Sequence, residues 1–116
     1  MSTLNRISKV FTVIALASAC FASSSAFAVD AATAEATARQ NGCFKCHSVD
    51  KKKDGPTYRE VAAKYKGKSE AEARLIKHIT SGEMAKFPDG HEEEHKIIKT
   101  KDTNEIKNLV QWILSL

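Results

Sequence analysis

Apolar residues recur three or four positions apart in three stretches of the chain, the spacing of one face of an α-helix. This pattern predicts helices over residues 58–65, 69–81 and 102–116. Thr57 is a candidate N-cap for the first, and Ser69 and Asp102 each open a capping box with a glutamate three residues later. Gly82 is the predicted end of the second helix.

Two further stretches lack an apolar stripe. Residues 30–40 are rich in alanine, which has the highest helix propensity, and Asn41-Gly42 follows as a stop signal. We therefore expect a first helix whose small alanine face packs closely on another helix. Residues 83–101 show no periodicity, and we expect an irregular segment, which in so short a chain usually has a functional role.

The first 28 residues have the composition of a secretory signal peptide. Arg6 and Lys9 precede an apolar run over residues 10–22, and Ala-Phe-Ala at 26–28 is a cleavage site. We expect cleavage after Ala28, which leaves one domain over residues 29–116 in the periplasm. The apolar run is too short to cross a membrane and no second one follows, so we expect no stable membrane insertion.

Removal of the signal peptide changes both the charge and the cysteine count. The formal net charge of +4 falls to about +2 without Arg6 and Lys9, which does not predict nucleic-acid binding. Cys20 is lost with the signal peptide. The alternative, acylation of Cys20 as a lipoprotein anchor, fits less well because the preceding residues lack the usual leucine.

The two cysteines that remain form the run Cys43-Phe44-Lys45-Cys46-His47. In an exported chain, C-x-x-C-H is typical of covalent haem c attachment. Two thiols on one turn can form thioethers with both vinyl groups of a porphyrin, and His47 is then placed as the proximal iron ligand. A zinc site needs two more nitrogen or sulfur ligands, and a thioredoxin-like dithiol needs a βαβ context, so both fit less well.

The motif, Gly55-Pro56 and the closing helix with Trp112 together resemble the small class I cytochromes c of bacteria. The resemblance covers nearly all of residues 29–116. It implies an all-α fold, a compact bundle of about four helices around one covalent haem c. It also implies that the carbonyl of Pro56 orients the imidazole of His47.

The resemblance leaves the sixth iron ligand open. The family normally supplies a methionine from the loop before the last helix, but here Met84 lies well upstream of that helix. His95 is nearer the position where the family's ligand falls, so we favour His95, with Met84 as the alternative. His91 and an open site are further possibilities. His78 is expected to be a surface or packing residue.

Two classes of function follow. The first is a soluble one-electron carrier without enzymatic activity, which works as a monomer in a respiratory or lithotrophic chain. Its partners would be membrane or periplasmic cytochromes, an oxidase or a reductase. Lys51–Lys53, with Lys45 and Lys86, would give a basic rim for acidic partners. The alternative is a haem protein with a displaceable sixth ligand that binds or reacts with NO, O₂ or peroxide.

Overall fold

The computed structural model describes residues 28–116, so residues 1–27 of the predicted signal peptide lie outside the described part. The described part has helices α1–α4, one 3₁₀ turn and strands β1 and β2. In chain order these are α1 (Ala31–Gln40), the turn (Cys43–Lys45), α2 (Tyr58–Tyr65), α3 (Ala71–Ser81), β1 (Met84–Lys86), β2 (Glu92–Glu94) and α4 (Thr103–Leu114).

Helix α4 is the central element, because α1, α2 and α3 all pack against it. Leu109 and Val110 on α4 are almost completely buried. Ala34 and Ala38 on α1 are fully buried as well, which agrees with the predicted close packing of a small alanine face. The bundle of about four helices predicted from the sequence is confirmed, with a small two-stranded sheet in addition.

The N-terminal caps predicted from the sequence are present at two of the three helices for which they were predicted. Thr57 and Glu60 form a complete capping box at α2, and the Asp102 side chain accepts the N–H groups of Asn104 and Glu105 at α4. The prediction for Ser69 is wrong, because α3 starts after Glu70 and has no side-chain cap. A backbone turn replaces it, with the amide of Ala71 bonded to the carbonyl of Lys68 at 3.2 Å.

The segment predicted to be irregular contains a small β-hairpin. Strands β1 and β2 pair antiparallel, with Ala85 opposite Glu93. The turn between them is closed by the amide of Phe87 on the carbonyl of His91, at 2.8 Å, and Gly90 has a φ of 94°. Strands of three residues are too short to show a two-residue alternation, so periodicity could not predict them.

Two buried asparagines join distant parts of the chain. The Asn108 side chain bonds both the N–H and the carbonyl of Asp30, each at 2.9 Å. The Asn41 side chain accepts the N–H of Lys99 at 2.7 Å and donates to the carbonyl of Thr37 at 2.8 Å. Between residues 28 and 116, none of the helices combines the length and the apolar character that crossing a membrane requires.

Candidate functional site

The C-x-x-C-H run folds as a tight turn directly after α1. Gly42 reverses the chain with a φ of 70°, and the amide of His47 bonds the carbonyl of Cys43 at 3.0 Å. The thiols of Cys43 and Cys46 are half-buried, and both residues line one cavity. Burial raises the pKa of the Cys43 thiol. The turn therefore presents two sulfurs and one imidazole to the same space.

The imidazole of His47 is held from behind by residues 55 and 56. Its Nδ1 lies 2.8 Å from the carbonyl oxygen of Pro56, the contact that the resemblance implies. A bond of this kind makes Nδ1 the donor and leaves Nε2 free to bind a metal. Burial lowers the pKa of His47, which favours the neutral form that a metal requires.

Tyr58 is a neighbour of the site that the sequence pattern assigned only to the apolar face of α2. Its ring stacks on His47 with centroids 5.4 Å apart, and its edge meets Trp112 at 5.7 Å. Burial is the main cause that raises the pKa of Tyr58, and the nearby Cys43 thiol adds to it. Its position two residues after Pro56 was the one feature of the sequence that could have indicated contact with His47.

The cavity has a volume of about 610 Å³, and His95 lines it together with Cys43, Cys46 and His47. The ring centroids of His47 and His95 are 6.1 Å apart. The Nδ1 atom of His95 is buried and has no hydrogen-bond partner among residues 28–116. Burial is the main cause that lowers the pKa of His95 to about 4, so its imidazole is neutral at neutral pH.

The other two candidate ligands lie differently. Met84 lines the same cavity from β1, but 57% of the residue is exposed. His91 lies in the hairpin turn, stacks on Phe87 at 4.4 Å, and is bonded to Asp89 and Glu93. Its side chain is engaged outside the cavity. A second cavity of about 580 Å³, between α2 and the end of α4, is lined by none of these candidates.

Sequence reasoning missed the group formed by Arg74, His78 and Glu83. His78 was expected to be a surface or packing residue, and its ring lies 4.1 Å from that of His95. The carboxylate of Glu83 accepts from Arg74 at 2.5 Å and lies 2.6 Å from Nδ1 of His78. The spacing of Arg74 and His78 places them on one helix face, which was the only signal in the sequence.

These residues fit a covalently bound haem. Two thiols and an oriented imidazole share one turn, and a largely apolar space lies next to them inside the core. A second neutral imidazole with a buried nitrogen borders the same space. When bound, haem c supplies a one-electron couple between ferric and ferrous iron.

Known proteins match the chain over this same region. The family model described as "Cytochrome c" matches residues 31–116. Cytochrome c-551 of Allochromatium vinosum is 37% identical over 79 residues, which are 68% of this chain and 81% of the relative. Cytochrome c-552 of Nitrosomonas europaea is 33% identical over 97 residues, 83% of this chain and 91% of the relative.

Among solved structures, the class 1 cytochrome MtoD from Sideroxydans lithotrophicus ES-1 is 66% identical, with a TM-score of 0.73. The match covers 76% of this chain and 97% of that one. Fold, attachment motif and relatives therefore agree. The chain belongs to the cytochrome c family and is a class I member that binds one covalent haem c.

Proposed function

We propose that this protein is a periplasmic one-electron carrier whose haem iron is held between His47 and His95. Cys43 and Cys46 form the thioethers, and Pro56 orients His47. Residues 1–28 are removed on export, and the mature chain acts as a monomer that exchanges electrons with protein partners. The relatives named above are cytochromes c, which supports the carrier role.

One observation carries the ligand assignment, namely the 6.1 Å between the ring centroids of His47 and His95. Two metal–nitrogen bonds of about 2.0 Å each, together with the half-widths of two imidazole rings, require a centroid separation of about 6 Å. The observed separation of 6.1 Å is close to this value, which supports one iron shared by the two side chains. The 57% exposure of Met84 supports His95 over the thioether.

Two protein ligands would define what the iron can do. If His47 and His95 both held the iron, O₂, NO and peroxide would find no free ligand position, and the haem would supply electron exchange alone. An imidazole in the sixth position also lowers the reduction potential relative to a thioether. We therefore expect a potential below that of His–Met relatives.

The charge around the cavity is mixed. The lining contains the bases Lys45, Lys64, Arg74, Lys86 and Lys96 together with the acids Asp54, Glu60, Glu83, Glu93 and Glu94. Two lysines of the expected basic rim make contacts within the protein. Lys52 pairs with Glu60 at 3.2 Å, and Lys53 donates to the carbonyl of Phe44 at 2.5 Å. The lining is therefore balanced in charge, and the basic rim expected from the sequence would steer acidic partners less strongly than its lysines alone suggest.

Optical spectra of the purified haem protein test the assignment. We expect a six-coordinate low-spin spectrum in both oxidation states and no reaction of the ferrous form with CO. His95→Ala should give a high-spin ferric spectrum and rapid CO binding. Prompt CO binding by the unaltered protein would favour the alternative, a haem protein with a displaceable ligand.

Two matched variants serve as controls. Met84→Leu and His91→Ala should leave the low-spin spectrum unchanged. If Met84→Leu instead abolishes it while His95→Ala has no effect, methionine is the ligand. Mass spectrometry of the periplasmic fraction tests processing, with a chain that begins at Val29 and carries one haem as the expected species.

A further inference from the structure

The two imidazoles that border the cavity are held in different ways. His47 has a hydrogen bond from Nδ1 to the carbonyl of Pro56, at 2.8 Å. No well-formed hydrogen bond among the described residues holds the buried Nδ1 of His95, although the backbone of the adjacent Lys96 lies close enough to act on the pKa of the ring. A metal-binding histidine usually has its ring fixed through the second nitrogen. The ring of His95 must therefore be oriented by something else.

Glu83 contacts the surroundings of His95 through both its backbone and its side chain. Its carbonyl oxygen accepts the N–H of His95 at 2.9 Å. Its carboxylate lies 2.6 Å from Nδ1 of His78 and accepts from Arg74 at 2.5 Å. The Glu83 side chain is 24% exposed and that of Arg74 is 43% exposed, so the bond to His78 is the better shielded of the two.

His78 is the ring against which His95 packs. The two centroids are 4.1 Å apart and the planes are tilted by 43°. His78 is on α3, and Glu83 fixes the direction of its ring. The amide of Ile98 also bonds the carbonyl of Ile79, at 2.8 Å, so the chain after His95 is attached to the same helix.

We propose that Glu83 and His78 are positioning residues for the sixth iron ligand. Glu83 holds the backbone of His95 with its carbonyl and holds His78 with its carboxylate, and His78 is the wall that orients the His95 ring. Arg74 anchors the carboxylate to α3. This inference rests on the proposed ligation by His95.

Cyanide binding to the ferric protein measures how firmly His95 is held, because cyanide binds only after the protein ligand has left the iron. We expect Glu83→Ala and His78→Ala each to speed this reaction about tenfold, the effect of losing one hydrogen bond to a charged group. The electron paramagnetic resonance of the ferric protein should shift too, because its g values depend on the orientation of the two imidazole planes.

Conservative variants separate positioning from general loosening. Glu83→Gln keeps an acceptor for His78, and His78→Phe keeps a ring against His95, so both should remain closer to the parent protein than the alanine variants. Glu92→Ala is the matched control, because it removes an exposed carboxylate from β2, away from the cavity lining. It should change neither the cyanide rate nor the g values.

The outcomes distinguish this proposal from the one on which it rests. Parent-like cyanide rates and g values in both alanine variants would overturn the positioning role and leave ligation by His95 intact. A low-spin spectrum that persists in His95→Ala overturns both proposals. If Glu83→Ala does not fold, the comparison of His78→Ala with His78→Phe decides, and equal rates for that pair contradict the proposal.

Discussion

Gly55, a residue without a side chain, lies close against the imidazole of His47. A Cβ placed on Gly55 would lie 2.5 Å from Cε1 of His47 and 2.7 Å from its Nδ1. Gly55 does not have a positive φ, unlike Gly42, Gly67 and Gly90. Glycine is therefore required at this position because the imidazole occupies the space of a side chain. Backbone strain is not the reason.

We predict that Gly55→Ala displaces the His47 ring from Pro56 and destabilises the haem protein by about 2 kcal/mol, as an overpacked core does. Urea unfolding followed by absorbance measures the loss, and the ferric spectrum reports the ligand. Gly67→Ala is the control, since a Cβ there meets nothing within 4 Å. This variant should lose about 1 kcal/mol of stability, because alanine is unfavourable at the positive φ of residue 67. Its ferric spectrum should be unchanged.

At the scale of the element, the start of α2 follows directly on the Pro56 carbonyl that holds His47. Thr57 accepts the N–H of Glu60 at 3.1 Å, and the Glu60 carboxylate accepts the N–H of Thr57 at 2.7 Å. Thr57 is buried, so these bonds are shielded from water. The cap therefore fixes Thr57, the residue that follows the Pro56 carbonyl bonded to His47.

Thr57→Ala should lower the free energy of unfolding by about 1 kcal/mol, because the amide of Glu60 loses its acceptor. Ser69→Ala is the matched comparison at the start of α3. The sequence predicts the same capping box at both positions, but α3 has no side-chain cap, so Ser69→Ala should change stability by less than about 0.5 kcal/mol. Equal losses in urea unfolding would contradict the structure.

The hairpin contains a pH-dependent contact around His91. Asp89, and to a smaller extent Glu93, raise the pKa of His91 above its ordinary value by bonding the charged ring. A raised pKa in the folded state means that the contact stabilises the hairpin fully below about pH 6.5, the pKa of a free histidine. This stabilisation is lost as the pH rises through the raised value.

Asp89→Asn should therefore move the pKa of His91 down toward the ordinary value. Proton NMR titration of the His91 ring in the reduced protein measures it directly. Glu92→Gln neutralises another exposed carboxylate of the hairpin without touching His91, and its titration should match the parent. A midpoint unaffected by Asp89→Asn would show that the contact contributes nothing in solution.

The parts of the site that the sequence predicted are those encoded by neighbours along the chain. The C-x-x-C-H run indicated Cys43, Cys46 and His47 because their spacing within one turn is itself the chemistry. His78 and Glu83 were not predicted, because their relation to His95 exists only once α3 and the hairpin segment pack together. The hairpin was not predicted for another reason. Its strands are too short to show the alternation of apolar and polar residues that identifies a strand.

At the scale of the whole molecule, the core is small. Leu109 and Val110 are almost completely buried at its centre, and Tyr58, Trp112, a further leucine and a few isoleucines are buried around them. Two alanines occupy the contact between α1 and α4. The 610 Å³ cavity opens next to Val110. A short chain of this kind buries too little apolar surface alone, and the haem supplies the rest.

The Cys43→Ala, Cys46→Ala double variant, purified without haem, should therefore lack a cooperative thermal transition. Circular dichroism should show partial helix content and a broad loss on heating, since the largest apolar component of the core is missing. Lys45→Ala, which alters the same turn but keeps both thiols, should bind haem and melt cooperatively. A sharp transition in the haem-free double variant would mean that the four helices suffice.

The bond from Lys99 to Asn41 joins residues 58 positions apart, from the segment after His95 to the end of α1, two residues before Cys43. Forming it in an open chain carries the entropy cost of closing a long loop, which grows with the logarithm of loop length. On the proposed ligation, His47 and His95 would hold one haem between them, which would connect the same two segments a second time. The entropy cost of closing the loop would then be incurred only once for the two contacts. Ligation by His95 and the bond from Lys99 to Asn41 would therefore stabilise each other.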